Sequence, residues 1–191
     1  MHRAVWLGSL AGALLGCGGR GPAAAPTTPA ATAPRILALS RVIVLETAGP
    51  PPSDTSVSFV TGTPRTIVLR HGPPENIVFA TLTFPAGAFA DSGQTVTVGV
   101  KARPGVYGID LTSSLPLRAA AELTFSYARY FSAPAHARQL YRSDIAYERA
   151  LAIGRLLPEG QIELLSSSRP VPDHLSAGVT AVGSYLVAGP Q

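Results

Sequence analysis

Leu82-Thr83-Phe84-Pro85-Ala86-Gly87-Ala88-Phe89-Ala90-Asp91-Ser92-Gly93-Gln94-Thr95-Val96-Thr97-Val98-Gly99-Val100 spells out a strand, a turn and a second strand. In the second strand Val96, Val98 and Val100 alternate with Thr95, Thr97 and Gly99. That period of two belongs to an extended chain with one face buried. Pro85 offers no N–H to a sheet ladder and so ends the first strand. Gly87 can take backbone angles closed to other residues. Small Ala86 and Ala88 let the chain pack tightly as it crosses an edge, and Phe89 is placed to enter a core.

The same period extends in both directions. Val57 and Phe59 alternate with Ser56 and Ser58, and Thr66-Ile67-Val68-Leu69-Arg70 is β-branched and bounded by Pro64 and Gly72-Pro73-Pro74. Val78, Ala80, Leu82 and Phe84 share one face of Asn76–Phe84, with Ile77, Phe79, Thr81 and Thr83 on the other. Tyr107, Ile109 and Leu111 form a further row, as do Leu123, Phe125 and Tyr127. Arg41–Leu45 is a compact apolar run, and Gln161–Ser166 and Val179–Ala188 close the chain as strands. Gly and Pro clusters punctuate these rows at short intervals. The pattern predicts an all-β fold, an antiparallel sandwich or barrel, and of these we expect the antiparallel β-sandwich, immunoglobulin-like in type. Pro158-Glu159-Gly160 reads as a tight turn, with Pro preset for its first corner and Gly free for positive φ. Residues 129–150 are ambiguous. Ile145, Tyr147 and Arg149 alternate with small or polar neighbours, so we expect a loop, a short helical turn around 134–142, and strands near 145–149 and 151–157.

Upstream, the chain changes character. Met1-His2-Arg3 is a short basic start, and Ala4–Leu15 is an apolar run too short to span a bilayer. It ends at Leu14-Leu15-Gly16-Cys17, where Cys17 is the only cysteine of the chain. This segment resembles the lipobox of a bacterial lipoprotein. The resemblance implies cleavage between Gly16 and Cys17, acylation of the Cys17 thiol (palmitate-type chains), and export to a bacterial cell envelope with lipid as the anchor. Gly18 follows the cysteine where inner-membrane retention tends to need Asp, so the outer membrane is favoured where the organism has one. Two or more acyl chains give stable anchoring where one gives only marginal binding. Residues 18–35 then read GGRGPAAAPTTPAATAPR, nearly all Ala, Pro, Thr and Gly. With no bulky apolar side chain this segment cannot offset its ordering entropy, and its prolines favour an extended tether. The expected organisation is a signal peptide at 1–16, a lipidated cysteine and spacer at 17–35, and one β-sandwich domain at 36–191.

Composition narrows the function. The chain is 46% hydrophobic and only 14% charged, with a formal net charge of +4. Lys101 is the only lysine among 15 basic residues, and the arginines are scattered singly. Nucleic-acid binding calls for a clustered basic face, so no nucleic-acid partner is expected. A lone cysteine also rules out an internal disulfide, so the domain must be held by packing alone.

Leu82–Val100 is similar to the Pro-x-Gly-Ala signature of the ZU-five-like β-sandwich, the domain shared by ankyrins, zonula occludens scaffolds and netrin receptors. Ala121-Glu122-Leu123-Thr124-Phe125-Ser126-Tyr127 resembles a later strand of that family, and Thr180–Ala188 its closing strand. The resemblance covers residues 76–130 and, more loosely, 151–188, and implies a protein-binding adaptor. Some relatives cleave themselves at a His-Phe-Ser site. In this chain Thr180 and Tyr185 match that strand, but Ala181 stands in the histidine position and Gly183 in the serine position.

No other motif supplies chemistry. Asp173-His174-Leu175-Ser176 contains the residue types of a triad, but triads are defined by geometry, and we expect a polar turn after Pro172. His71 and His136 are isolated. Asp110 and Glu122 read as surface charges, and Asp144 and Glu148 as parts of a local ion pair. No histidine or acid spacing matches a metal site, and no glycine-rich phosphate loop is present. We therefore expect no catalytic residues, no metal and no cofactor. Tyr127, Tyr130, Tyr141 and Tyr147 form the candidate binding surface, since such rings stack on sugars or fill a protein interface. The expected function is a non-catalytic envelope module that binds an envelope protein. A carbohydrate- or peptidoglycan-binding module on cell-wall glycan is the alternative, and a small envelope hydrolase ranks third.

Substituting Cys17→Ala should abolish incorporation of labelled fatty acid and leave the precursor uncut at this site. Normal processing of that variant would identify an ordinary secretory signal instead.

Overall fold

The structure, a computed structural model, describes residues 35–191. The leader, Gly16, Cys17 and the spacer up to residue 34 lie outside the described residues. Among the described residues thirteen strands form two antiparallel sheets, and strands with isolated bridges make up 48% of these residues. In chain order they are β1 (Arg35–Ala38), β2 (Val42–Val44), β3 (Thr55–Val60), β4 (Arg65–Arg70), β5 (Val78–Phe84), β6 (Thr95–Ala102) and β7 (Gly108–Ser113). They continue with β8 (Ala121–Ser126), β9 (Ala152–Leu157), β10 (Gln161–Leu164), β11 (Ser167–Ser168), β12 (His174–Val179) and β13 (Gly183–Pro190).

The larger sheet runs β1-β10-β9-β13-β7-β6-β3, with β2 pairing the far end of β13. The smaller sheet runs β11-β12-β8-β5-β4. Between them lies one core. The larger sheet contributes Val96, Val98, Val100, Ile109, Leu111, Ile153, Tyr185 and Val187. Opposite them stand Ile67, Leu69, Leu82, Phe84, Leu123, Phe125, Leu175 and Val179. The alternating rows of the sequence are thus the inner faces of the two sheets. A second, smaller cluster of Val42, Ile162, Leu164, Leu186 and Ala188 lies on the opposite face of β13.

The strand ends at Phe84 before Pro85 as expected, but Gly87 does not take a positive φ. Ala88 N–H donates to Pro85 O at 2.9 Å, and Ala88 and Phe89 are buried. Phe89 packs against Phe84 and Phe59. The expected face of β5 is interrupted, however. Leu69 pairs with Ala80 and Arg70 with Val78, so Phe79 is the extra residue of a β-bulge. The bulge turns Phe79 into the core directly beside Ala80, giving two consecutive buried residues where alternation predicts one.

Residues 145–149 do not form the expected strand. Two short helices, α1 (Ala135–Tyr141) and α2 (Asp144–Ala150), fill this stretch. The helical turn expected at 134–142 is α1. Ser143 caps α2, its hydroxyl accepting from Ala146 N–H at 3.1 Å, with Asp144 in the first turn and Arg149 in the last. That arrangement satisfies an orphan donor and complements the helix dipole. The apparent alternation of Ile145, Tyr147 and Arg149 is coincidental: Tyr147 is buried while Ile145 is 61% exposed. Arg142, at φ 61°, ends α1 in the left-handed region and redirects the chain into α2.

Three other expectations shift at their ends. His174–Val179 is strand β12, so the polar turn after Pro172 ends at Asp173. The closing run breaks at residues 180–182 before β13 begins. In the 158–160 turn, Glu159 as well as Gly160 takes positive φ.

Gly108 marks the closest backbone approach in the larger sheet. A Cβ there would lie 2.5 Å from Leu186 Cδ2 and 2.9 Å from the Tyr185 carbonyl oxygen. Gly108→Ala should therefore lower stability by about 1–3 kcal/mol through overpacking. Urea denaturation checks this, and an unchanged midpoint would contradict the tight β7–β13 contact.

Candidate functional site

The four tyrosines singled out in the sequence converge on one end of the sandwich, under α1 and α2. They do not form an exposed platform. Tyr127 is 1% exposed and Tyr147 0%, while Tyr130 and Tyr141 are half-buried. The rings join a continuous aromatic seam. Phe125 meets Phe79, Phe79 stacks on Tyr107 at 5.4 Å, and Tyr107 meets Tyr127 edge-on. Tyr127 then contacts Phe131, Phe131 stacks on Tyr147, and Tyr147 meets Tyr141. The candidate surface is corrected accordingly: Tyr127 and Tyr147 are core residues, and only Tyr130 and Tyr141 reach the outside.

Each buried hydroxyl has a partner, as burial demands. Tyr147 donates to Ile43 O at 3.1 Å, and Tyr107 to Tyr127 O at 3.2 Å. The Tyr127 hydroxyl lies 3.2 Å from both Glu148 Oε1 and Pro172 O. Tyr141 donates to Pro190 O. Desolvation pushes the Tyr107 phenol up to about 12 and raises those of Tyr127 and Tyr147 as well. His71 is buried in the same region. Its Nδ1 is 2.9 Å from Pro50 O, its ring is edge-on to Phe79 and Tyr130, and its Nε2 has no partner. Beside it, Arg129 forms a fork on Glu75 through Nε and Nη2.

The Asp-His-x-Ser sequence does not assemble. Asp173 Oδ1 holds His174 Nδ1 at 2.9 Å, and this contact lowers the Asp173 pKa. The Ser176 hydroxyl is buried and hydrogen-bonded to Thr124 Oγ1 across the β8–β12 ladder, not to His174. The histidine therefore has no contact through which to activate that serine. Asp110 is paired with Arg103 at 2.7 Å and accepts from Ser184 at 2.6 Å. Its partial burial opposes ionisation, but Ser184 and Arg103 together hold its carboxyl below the usual range. Glu122 is exposed on β8. Asp144 pairs with Arg138, and Glu148 faces Tyr127, so the two acids do not share one ion pair. Among the described residues no group of three His, Cys, Asp or Glu side chains is placed to hold a metal ion.

One arrangement is absent from the sequence reading. Arg35 on β1, Arg149 on α2 and Arg169 after β11 line a single cleft of about 280 Å³. Its apolar walls are Leu151, Leu164 and Leu165 with Ala150, Ala152 and Pro190, and Ser167 adds a hydroxyl. Arg169 Nη2 donates to the Glu148 and Leu151 carbonyl oxygens at the C-terminal end of α2. Its Nε is buried and has no acceptor. No acid lines the cleft, and none lies within ion-pair distance of these three arginines among the described residues. Elsewhere Arg103, Arg129, Arg138 and Arg155 each face an acid, while among the described residues Arg41, Arg65, Arg70, Arg118 and Arg142 do not. The three residues that line the cleft are separated in the chain, and the pairing of β1 with β10 and the seating of α2 against β13 bring them to one cleft. Comparison with protein-family models, curated proteins and solved structures finds no match.

The tyrosine pKa values fix an alkaline limit. A phenol whose folded pKa is raised contributes stability below its unfolded pKa of about 10, and that stability is lost as pH rises toward the folded value. Stability should fall between about pH 10 and 12, with Tyr107 and Tyr147 titrating last or only on unfolding. Phenolate absorbance followed alongside circular dichroism checks this. Free titration of every tyrosine near pH 10 with the fold intact would contradict the buried seam.

Proposed function

We propose that this chain is a non-catalytic, lipid-anchored module of the bacterial cell envelope, whose β-sandwich binds another envelope protein. The observation that carries the reading is Leu14-Leu15-Gly16-Cys17 at the end of a short apolar leader, followed by an Ala/Pro/Thr spacer and then by a self-contained sandwich. A lipidated Cys17 holds the domain at the membrane, and the spacer sets its reach. The outer membrane is the favoured site in a two-membrane organism. The ZU-five-like resemblance around Pro85-Ala86-Gly87-Ala88 supports an adaptor by analogy of fold alone.

The disposition of the tyrosines supports protein binding over glycan binding. A sugar platform needs ring faces open to solvent, and Tyr127 and Tyr147 have theirs covered. Half-buried Tyr130 and Tyr141 keep the carbohydrate or peptidoglycan reading as the second. The hydrolase reading ranks third: Ser176 is engaged by Thr124 and not by a base.

Cross-linking in the native envelope should capture a specific protein partner, and the full chain should not be retained on purified cell-wall glycan. Retention that disappears in the Tyr130→Ala, Tyr141→Ala double variant would defeat the adaptor reading and establish the glycan one.

A further inference from the structure

The cleft between β1, α2 and the β9–β10 hairpin is lined by three arginines and by no carboxylate. We propose that it is a binding site for a phosphate-class oxyanion carried on a short apolar body. This goes beyond the adaptor reading and does not depend on Cys17.

Four observations converge on that ligand. Arg35, Arg149 and Arg169 line the same cleft, and no carboxylate lines it with them. Glu148 receives the Tyr127 hydroxyl on its carboxylate, and Arg169 approaches the same hydroxyl from the cleft side of α2. Like charges gathered in this way repel one another, and an anion relieves that repulsion. A phosphate group, with about 1.5–2 negative charges at neutral pH, balances three guanidinium groups better than one carboxylate does. The guanidinium fork also matches phosphate oxygens two at a time.

The second observation is that the Arg169 guanidinium is held in place. Its Nη2 is committed to the carbonyl oxygens that end α2. A fixed cation is preorganised for an anion. Third, the remainder of the lining is apolar, built of Leu151, Leu164, Leu165, Ala150, Ala152 and Pro190. An inorganic ion would leave that surface uncovered, whereas an alkyl stem would bury it. Fourth, a volume of about 280 Å³ suits a headgroup and a short stem, and is small for a larger ligand.

Such a group reaches the cleft either as a free alkyl phosphate or as the headgroup of an anionic lipid. Both present the same chemistry to the three arginines. Arg35 and Arg149 make no side-chain hydrogen bond among the described residues, so replacing them should leave the fold intact. Arg169 also supports α2, and its replacement should cost stability as well.

The test titrates the full chain with hexyl phosphate, inorganic phosphate and hexanol, following amide resonances of residues 149–152 and 164–169. Wild type is compared with Arg35→Gln, Arg149→Gln and the double variant. The leader is common to all, so differences report the cleft. Saturable shifts with hexyl phosphate are expected, with affinity above that for inorganic phosphate and for hexanol. Each single substitution should weaken hexyl phosphate by ~10-fold or more, the loss of one charge-assisted interaction. Vesicles separate the two sources. Binding to phosphatidylglycerol but not phosphatidylcholine vesicles, lost in the double variant, assigns the headgroup to a lipid. Hexyl phosphate binding without that vesicle dependence assigns a soluble ligand. Hexyl phosphate binding no tighter than hexanol, or equally tight in the double variant with its fold intact, overturns the proposal. Affinity equal to that for inorganic phosphate removes the apolar body from it. None of these outcomes bears on Cys17, whose labelling is read separately.

Discussion

The structure depends on one requirement: two sheets must bury their inner rows against each other with no covalent staple. The only cysteine stands ahead of the folded domain, so no disulfide can hold β-strands together. All cohesion comes from the interlocked rows on β6, β7, β9 and β13 facing those on β4, β5, β8 and β12. Each fully buried Leu, Val, Ile or Phe side chain contributes about 1.5–3 kcal/mol relative to exposure. The remaining features serve to close the ends of that sandwich. At one edge the Pro85–Ala88 turn drops Phe89 onto Phe84 and Phe59. At the other end the aromatic seam and the helix pair form the lid.

The seam explains why α1 and α2 exist as helices. A helix of seven residues is not stable alone. Tyr147 gives α2 its fixed position, donating to Ile43 O while its ring lies against Gly189. A Cβ at Gly189 would stand 2.9 Å from Tyr147 Cε2, so the bare backbone there is what lets the ring approach β13. Once α2 is seated, Arg169 binds its last carbonyl oxygens, and the arginine cleft is a by-product of that docking. The packing of the lid and the chemistry of the cleft are therefore coupled through a single side chain.

How much of this was legible in the sequence follows from the range of each interaction. Rows such as Val96, Val98 and Val100 declare themselves, since a half-buried strand needs only alternation and its partners are interchangeable. The bulge at Phe79 was not legible, because one extra residue looks like ordinary alternation until the partner strand is known. Residues 145–149 misled because five residues hold too few periods to separate two from 3.6. The Ser143 cap and Asp144 were the local signal for a helix start. Among the candidate tyrosines, residue type signalled an aromatic cluster correctly, but not which ring faces are covered. Arg35, Arg149 and Arg169 carried no signal at all, since their proximity is set by tertiary folding and scattered arginines look alike along a chain.

The position of β13 has a consequence for the order in which the fold can be made. This strand pairs with β7, β9 and β2, so it joins the two halves of the larger sheet. Until residues 183–190 are available, β3-β6-β7 and β1-β10-β9 have no common neighbour. A chain that has not yet placed these residues keeps both halves open, each with unpaired backbone facing the gap. Closure is a non-local event, which slows folding. The order of assembly is then a property of the topology itself, built in by giving the centre of the sheet to a strand that follows both halves in sequence.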